Sequence, residues 1–276
     1  MLPLRDDNPT RRFPVVTVVL IVVNIGVYFG LQPQQGEQAQ VRVGEVRVQV
    51  PADLAFNLEN AAVPCEVVQG RPLSVQEIED TFGDGDSEAC ADTGAGSRGP
   101  SLFPDKRVLL AVLASMFLHG GLLHLGGNML FLWIFGNNIE DHLGPLRFIA
   151  FYLASGIVAT VAHIAVQPDS TVPVVGASGA IAGVMGAYLV WFPNTPILTL
   201  FIFFIILFRQ ISAKWLLGFW LVSQFFVNPN SGVAWVAHVG GFVFGALIGL
   251  LVRASGGLQR AVFKPAYRNP DRDPWR

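Results

Sequence analysis

Charge is scarce in this chain. Lys, Arg, Asp and Glu make up only 14% of its 276 residues, while 52% are hydrophobic, and mean hydropathy is +0.49. A soluble domain keeps about a quarter of its residues charged to hold a hydrated surface, so the deficit excludes that class and leaves a polytopic membrane protein. Positive charge is not concentrated either. The 18 Lys and Arg against 20 Asp and Glu give a net charge of −2, and the absence of a basic tract or aromatic-basic repeat argues against a nucleic-acid partner. The chain lacks His-Glu-x-x-His, which argues against zinc-dependent peptide hydrolysis, and no metal or cofactor is expected. Cysteine is limited to Cys65 and Cys90.

What is abundant is long apolar runs. Residues 1–12, with Arg5, Arg11 and Arg12, precede the run Phe13–Leu31. This arrangement is like a signal peptide, but the run is too long and lacks a small-residue cleavage site, so an uncleaved first span is expected. Further runs at Leu122–Phe135, Phe148–Val166, Val175–Phe192, Trp215–Val227 and Val233–Val252 bring the expected spans to six. Val108–Leu118 and Ile197–Phe208 are about half the length that crosses ~30 Å of hydrocarbon and read as interfacial or re-entrant, the second alternatively as the start of a long fifth span. The expected fold is therefore an all-α six-helix membrane bundle. Its core occupies 107–252, its tail 253–276, and an enlarged loop 32–106 separates the first span from the rest.

Arg147, Arg209, Lys214 and Arg253 fall on one side of these runs, together with Arg260, Lys264, Arg268, Arg272 and Arg276, whereas the loops 167–174 and 228–232 carry no Lys or Arg. By the positive-inside rule both termini are cytoplasmic and loop 32–106 is outside. The short termini and Arg-rich usage fit a bacterial plasma membrane. Within the loop, Val41–Val50 alternates with period two and is a candidate hairpin, while 80–99 is rich in Gly, Asp and Ser and reads as irregular and mobile. Cys65 and Cys90, with 24 residues between them, are either bridged, as an oxidising exterior permits, or free.

Against this background a few polar residues stand out. Ser178 opens one run and His238 lies early in another, and polar groups at membrane depth are costly unless paired or functional. With alternate spans running inward from outside, His124, Asn128, Ser178 and His238 share one depth near the outer face. At about 100° per residue His238, Gly241, Gly245 and Gly249 lie within an arc of about 80°, and Ser178, Ala182 and Gly186 form a second small-residue face. Two such faces pack closely and would bring the Ser178 hydroxyl to the His238 ring as nucleophile and base. His124 and Asn128, four apart, point the same way and suit hydrogen-bond donation to an oxyanion.

The set His124-x-x-x-Asn128, Glu140-Asp-His-Leu-Gly144-x-x-Arg147-Phe148, Gly176-x-Ser178-Gly179 and Ala237-His238-x-x-Gly241-x-x-x-Gly245 resembles the rhomboid family of intramembrane serine proteases. The resemblance implies a six-helix bundle that hydrolyses peptide bonds in or near the transmembrane helices of single-span proteins within the lipid bilayer. It implies a Ser178–His238 dyad, an oxyanion site from His124, Asn128 and the Ser178 N–H, a membrane-dipping segment over 106–121, and a mobile gate at span five. One departure is Ala182, where relatives often carry an aromatic that stacks on the catalytic imidazole.

Blander roles are available. Ser178 is placed to be a helix N-cap, His238 and Asn24 to be helix–helix contacts, and His163 to be an interface residue at the end of span three. His142 falls in a loop, and Glu140 and Arg147 suit fixing that loop. His119 with His124 is a poor metal pair without a carboxylate or thiolate. Among other functional classes, a catalytically silent relative that binds membrane helices would be expected to have lost Ser178 or His238. A transporter would be expected to show internal repeats.

Overall fold

The structure, a computed structural model, describes residues 1–34, 36–43, 46–90, 99–202, 206–228 and 232–255. Residues 44–45 of the candidate hairpin, 91–98 of the Gly-, Asp- and Ser-rich stretch and the tail from 256 lie outside the described residues.

The first helix, α1 (Val15–Gly30), shows how the sequence meets lipid. It buries Thr17, Leu20, Asn24 and Tyr28 and exposes Val15, Val19, Val22 and Phe29. An apolar face turned outward is stable only where the solvent is itself apolar. Pro14 precedes the helix and offers no side-chain cap. The free N–H groups of Val16 and Thr17 are instead taken by the Glu140 carboxylate at 2.9 and 2.7 Å, which also accepts from the Thr17 hydroxyl at 2.8 Å. A carboxylate there meets the positive end of the helix dipole. Glu140 thus anchors α1 from α7 rather than fixing its own loop, and Arg147 is exposed. Asn24 donates to Leu20 O of its own helix, not to a neighbouring one.

After α1 come β2 (Gln38–Val43) and β3 (Val46–Pro51), antiparallel with Gln38 opposite Pro51, as the period-two alternation predicts. Three short helices follow, α2 (Ala52–Asn60), α3 (Pro64–Gln69) and α4 (Val75–Glu79). They share a small core of Leu58, Val63, Cys65, Leu73 and Cys90. Ser74 and Glu77 form a capping box at α4, and Arg71 grips the same Glu77 through both guanidinium nitrogens at 2.9 and 2.7 Å. The Lys106 ammonium meets Glu66 at 2.5 Å with both side chains buried. Burial lowers the Lys106 pKa against the pull of Glu66, and burial raises that of Glu66 against the pull of Lys106. This first-loop subdomain is a packed unit.

The rest is a helical bundle. α5 (Val108–Ala114) ends in a tight turn at Ser115–Phe117 and meets the next helix at 78°. That helix comprises α6 (Leu122–Phe131), a wider turn at Leu132–Gly136 and α7 (Asn137–Leu143). α8 (Pro145–Val166), α9 (Ser178–Trp191), α10 (Ala213–Gln224) and α11 (Trp235–Ala254) complete it. Among the described residues α8 and α11 are long and apolar enough to cross a membrane, the bent pair of α5 and α6–α7 would be a third, and α1 and α9 are shorter apolar helices.

The all-α expectation needs correcting. Ile197–Phe208 is neither a re-entrant helix nor the start of span five but a β-hairpin, β4 (Pro196–Ile202) with β5 (Ile206–Ser212). Residues 2–6 of the expected N-terminal tail form β1 (Leu2–Asp6), which pairs antiparallel with β4. The Asp6 carboxylate accepts from the Asn138 amide at 2.6 Å and the Tyr188 hydroxyl at 2.7 Å, tying this sheet to α7 and α9. His142 lies in α7 rather than in a loop, its ring 4.3 Å from that of Trp191. The first-loop subdomain lies at the opposite end of the bundle.

Candidate active site

α9 and α11 touch backbone to backbone. A Cβ on Gly245 or Gly241 would overlap the carbonyl oxygen of Gly183 or Gly179, and one on Gly186 would overlap Phe242 O. Only hydrogen fits these points, so the glycine seam sets the distance between the helices. Gly249 continues it beside Ala187 and Val190. On α9 Gly186 turns its missing side chain to α11, whereas those of Gly179 and Gly183 point at Ala159 and Ser155 of α8 and reach α11 through their carbonyl oxygens. Ala182, one turn from Gly186, is fully buried.

At the head of this seam His238 Nε2 lies 2.8 Å from Ser178 Oγ. Ser178 is the first residue of α9, and its side chain caps none of the helix's own N–H groups. Its backbone N–H is one of those that a helix start leaves without an intrahelical partner. On the far side of the imidazole, Nδ1 lies 2.7 Å from Gln224 Oε1 on α10. The Gln224 amide nitrogen donates to Trp220 O at 3.0 Å and the Ser223 hydroxyl at 3.3 Å, which leaves its oxygen facing the ring. An acceptor at Nδ1 puts the imidazole proton there and leaves Nε2 free to accept from Ser178. The Trp220 ring lies 5.8 Å from that of His238, so an aromatic from α10 stands beside the imidazole where α9 has Ala182.

His124 approaches from α6. Its Nδ1 accepts from Gly120 N at 3.3 Å, which places the proton of the neutral ring on Nε2. Gly176 has φ +130°, and a Cβ there would sit 2.9 Å from His124 Nε2 and 3.4 Å from Ser178 Oγ. The missing side chain therefore leaves a space between a donor and the serine oxygen. Asn128, one turn on, is buried, and its Nδ2 has no hydrogen-bond partner among the described residues. Ser178, His238 and His124 line a cavity of about 810 Å³, which Asn128 does not. His163, near the end of α8, also lines it and is buried. His119 is buried as well, its ring 5.2 Å from that of His124.

A serine hydroxyl against an oriented imidazole, beside free N–H donors, can perform acyl transfer. Residues 106–255, more than half of the chain, match the family model of the Rhomboid domain. The chain belongs to the rhomboid family. It is an integral membrane protein, and its rhomboid domain holds every residue of the cavity's Ser178–His238–Gln224 chain. Among relatives, the mitochondrial Rhomboid protein 1 of Saccharomyces cerevisiae is 30% identical over 160 residues, 55% of this chain and 44% of that one. The Putative rhomboid protease YdcA of Bacillus subtilis is 32% identical over 145 residues, 51% of this chain and 65% of that one. The Rhomboid protease GluP of the same organism is 42% identical over 78 residues, 28% of this chain and 15% of that one. In each case the match spans less than two thirds of the relative's length. Residues 1–105, with the first-loop subdomain, fall outside the matched domain.

Sequence reasoning missed Gln224 and Trp220. Their spacing of four on one helix was the available signal, because residues four apart share a face.

Proposed function

We propose that this rhomboid is an intramembrane serine endopeptidase that cleaves transmembrane helices of single-span proteins. The observation behind this reading is the continuous hydrogen-bond chain Ser178–His238–Gln224 opening into a cavity within an apolar bundle. His238 Nε2 takes the hydroxyl proton as Ser178 Oγ attacks the scissile carbonyl. The developing oxyanion is received by the Ser178 N–H, His124 Nε2–H and Asn128 Nδ2. The resulting imidazolium, oriented through Nδ1–H to Gln224, returns the proton to the leaving amine. Water entering the cavity then cleaves the acyl-enzyme by the same steps in reverse order of roles.

In this reading α1, α6–α7, α8, α9, α10 and α11 are the six spans. The sheet end, which carries Arg5, Arg147, Arg209, Lys214 and Arg253, faces the cytoplasm with both termini, and the cavity opens outward. A bacterial plasma membrane is the compartment assigned. A helix hides its carbonyls in hydrogen bonds, so preferred substrates are helices that unwind readily through Gly or Pro near the cut.

The test is co-expression with a panel of tagged single-span proteins. Wild type is expected to release fragments, whereas Ser178→Ala and His238→Ala, folded to the same extent, release none. Appreciable cleavage by purified Ser178→Ala would sink the assignment.

A further inference from the structure

The first-loop subdomain does not hang free of the site. It grips the stretch of chain that delivers Ser178. Cys65 N donates to Ser170 O at 3.0 Å, Thr171 N donates to Ser87 O at 2.9 Å, and Val174 N donates to Ala62 O at 2.8 Å. The Thr171 hydroxyl, on a fully buried side chain, donates to Ser87 O at 3.1 Å and lies 2.6 Å from the Thr81 hydroxyl, which itself donates to Glu77 O at 2.6 Å. Ala62 N in turn donates to Ser115 Oγ at 2.6 Å, and Ser115 O accepts from Gly176 N at 2.9 Å. From Ser170 to Gly176, the run-up to the nucleophile is thus held at several points by residues outside the rhomboid domain or by groups they orient. The grips at Cys65 and Ser87 come from separate segments of the subdomain, and the Cys65–Cys90 bond, with Cα atoms 6.0 Å apart, ties α3 to the segment that carries Ser87. Gly85 and Ser87 also line the cavity that holds Ser178 and His238.

From these contacts we infer that the first-loop subdomain is part of the active site: it positions the Ser170–Gly176 segment ahead of the nucleophile, and its Gly85–Ser87 turn forms a cavity wall that the extramembrane end of a substrate meets. Thr171 is a positioning residue, and the disulfide keeps its two partners, Thr81 and Ser87, in register with Cys65. The inference rests on the reading of Ser178 and His238 as nucleophile and base. An enzyme with the disulfide broken keeps that pair but holds the incoming segment loosely, so turnover suffers more than folding.

The experiment uses the purified full chain in liposomes, as wild type, Thr171→Val, Thr171→Ser and Cys65→Ser/Cys90→Ser, and wild type treated with dithiothreitol. Three quantities are read: hydrogen exchange of the amides from 170 to 177, labelling of Ser178 by a fluorophosphonate, and kcat and KM on a transmembrane substrate. Thr171→Val removes the hydroxyl's hydrogen bonds, and a loss of about tenfold in kcat/KM is expected. Exchange at Thr171, Val174 and Gly176 should rise, and Thr171→Ser should restore both quantities. The cystine-free and reduced proteins should follow Thr171→Val. Exchange and kinetics unchanged in both Thr171→Val and the cystine-free protein would overturn the inference. Failure of the underlying dyad is separable, because it shows as a wild type that the fluorophosphonate does not label at Ser178, while exchange still decides whether the subdomain holds the segment.

Discussion

Replacing Gln224 by Met tests the hydrogen-bond chain at the link that the rhomboid resemblance does not include. Met keeps the length and the helix propensity of Gln but removes the oxygen that lies 2.7 Å from His238 Nδ1. Two losses follow. The Nδ1–H is left without its partner, and the ring loses the reason to carry its proton there rather than on Nε2, the atom that must accept from Ser178. A neutral hydrogen bond of this kind contributes about 0.5–1.5 kcal/mol net, which as transition-state stabilisation is roughly two- to tenfold in rate. The Trp220 ring beside the imidazole remains and limits how far it swings. We therefore expect kcat to fall by about threefold to tenfold with KM unchanged, far less than for loss of Ser178. Gln224→Glu, which keeps an acceptor at the same place, should recover most of the rate at neutral pH. The assay is cleavage of a fluorogenic transmembrane substrate in proteoliposomes, with thermal unfolding as the control for folding. A Gln224→Met enzyme with wild-type kcat, or one whose entire loss appears in KM, would refute the orienting role.

The other predictions concern the oxyanion site, the buried Lys106–Glu66 pair and the half-buried Asp6. His124→Ala and Asn128→Ala should each slow cleavage, by up to about 10² to 10³ if the lost donor is not replaced by water, while fluorophosphonate labelling of Ser178 persists; wild-type rates in both and in the double variant would make them packing groups. Lys106→Met strands the buried Glu66 carboxylate and should destabilise the subdomain by about 3–5 kcal/mol, read as faster proteolysis of 52–90, with partial recovery in Glu66→Gln/Lys106→Met; equal protease resistance of the single and double variants would count against an energetic pair. Asp6 is the pH-sensitive group at the sheet end: burial, opposed by bonds from Tyr188 and Asn138, raises its pKa from 3.8 to about 6. The folded state then holds more protons than the unfolded one between these values. Stability should fall as pH rises through that window and level off above it, by about 1–2 kcal/mol once partial exposure is discounted. Asp6→Asn should flatten the thermal-unfolding profile across the window, and an unchanged slope would place the titration elsewhere.

How far the sequence revealed these features follows from the solvent each residue faces. Ser178 and His238 stood out because hydrocarbon makes any polar side chain conspicuous, and the contact at 2.8 Å joins residues sixty apart that were read as neighbours from depth and glycine spacing alone. The small-residue spacing on α11 was legible, but the second partner of α9 was not. Gly179 and Gly183 leave room for Ala159 and Ser155 of α8, and their carbonyl oxygens meet Gly241 and Gly245, a three-helix contact that no single spacing records. The hairpin β4–β5 was hidden for the opposite reason. Ile197 to Phe208 is apolar almost without a break, so neither the strand period nor the helix period appears. Its Ile and Phe content, with little of the Ala and Gly that fill α8, α9 and α11, was the remaining signal for strand. Gln224 was invisible because glutamine near the end of an apolar helix is ordinary there. Its partner ring lies on another span, fourteen residues on, and nothing local to either residue records that α10 turns its Gln224 toward α11. Periodicity reports which face of a helix is buried. It does not report what that face meets, and in this protein the orientation of the His238 ring depends on such a meeting.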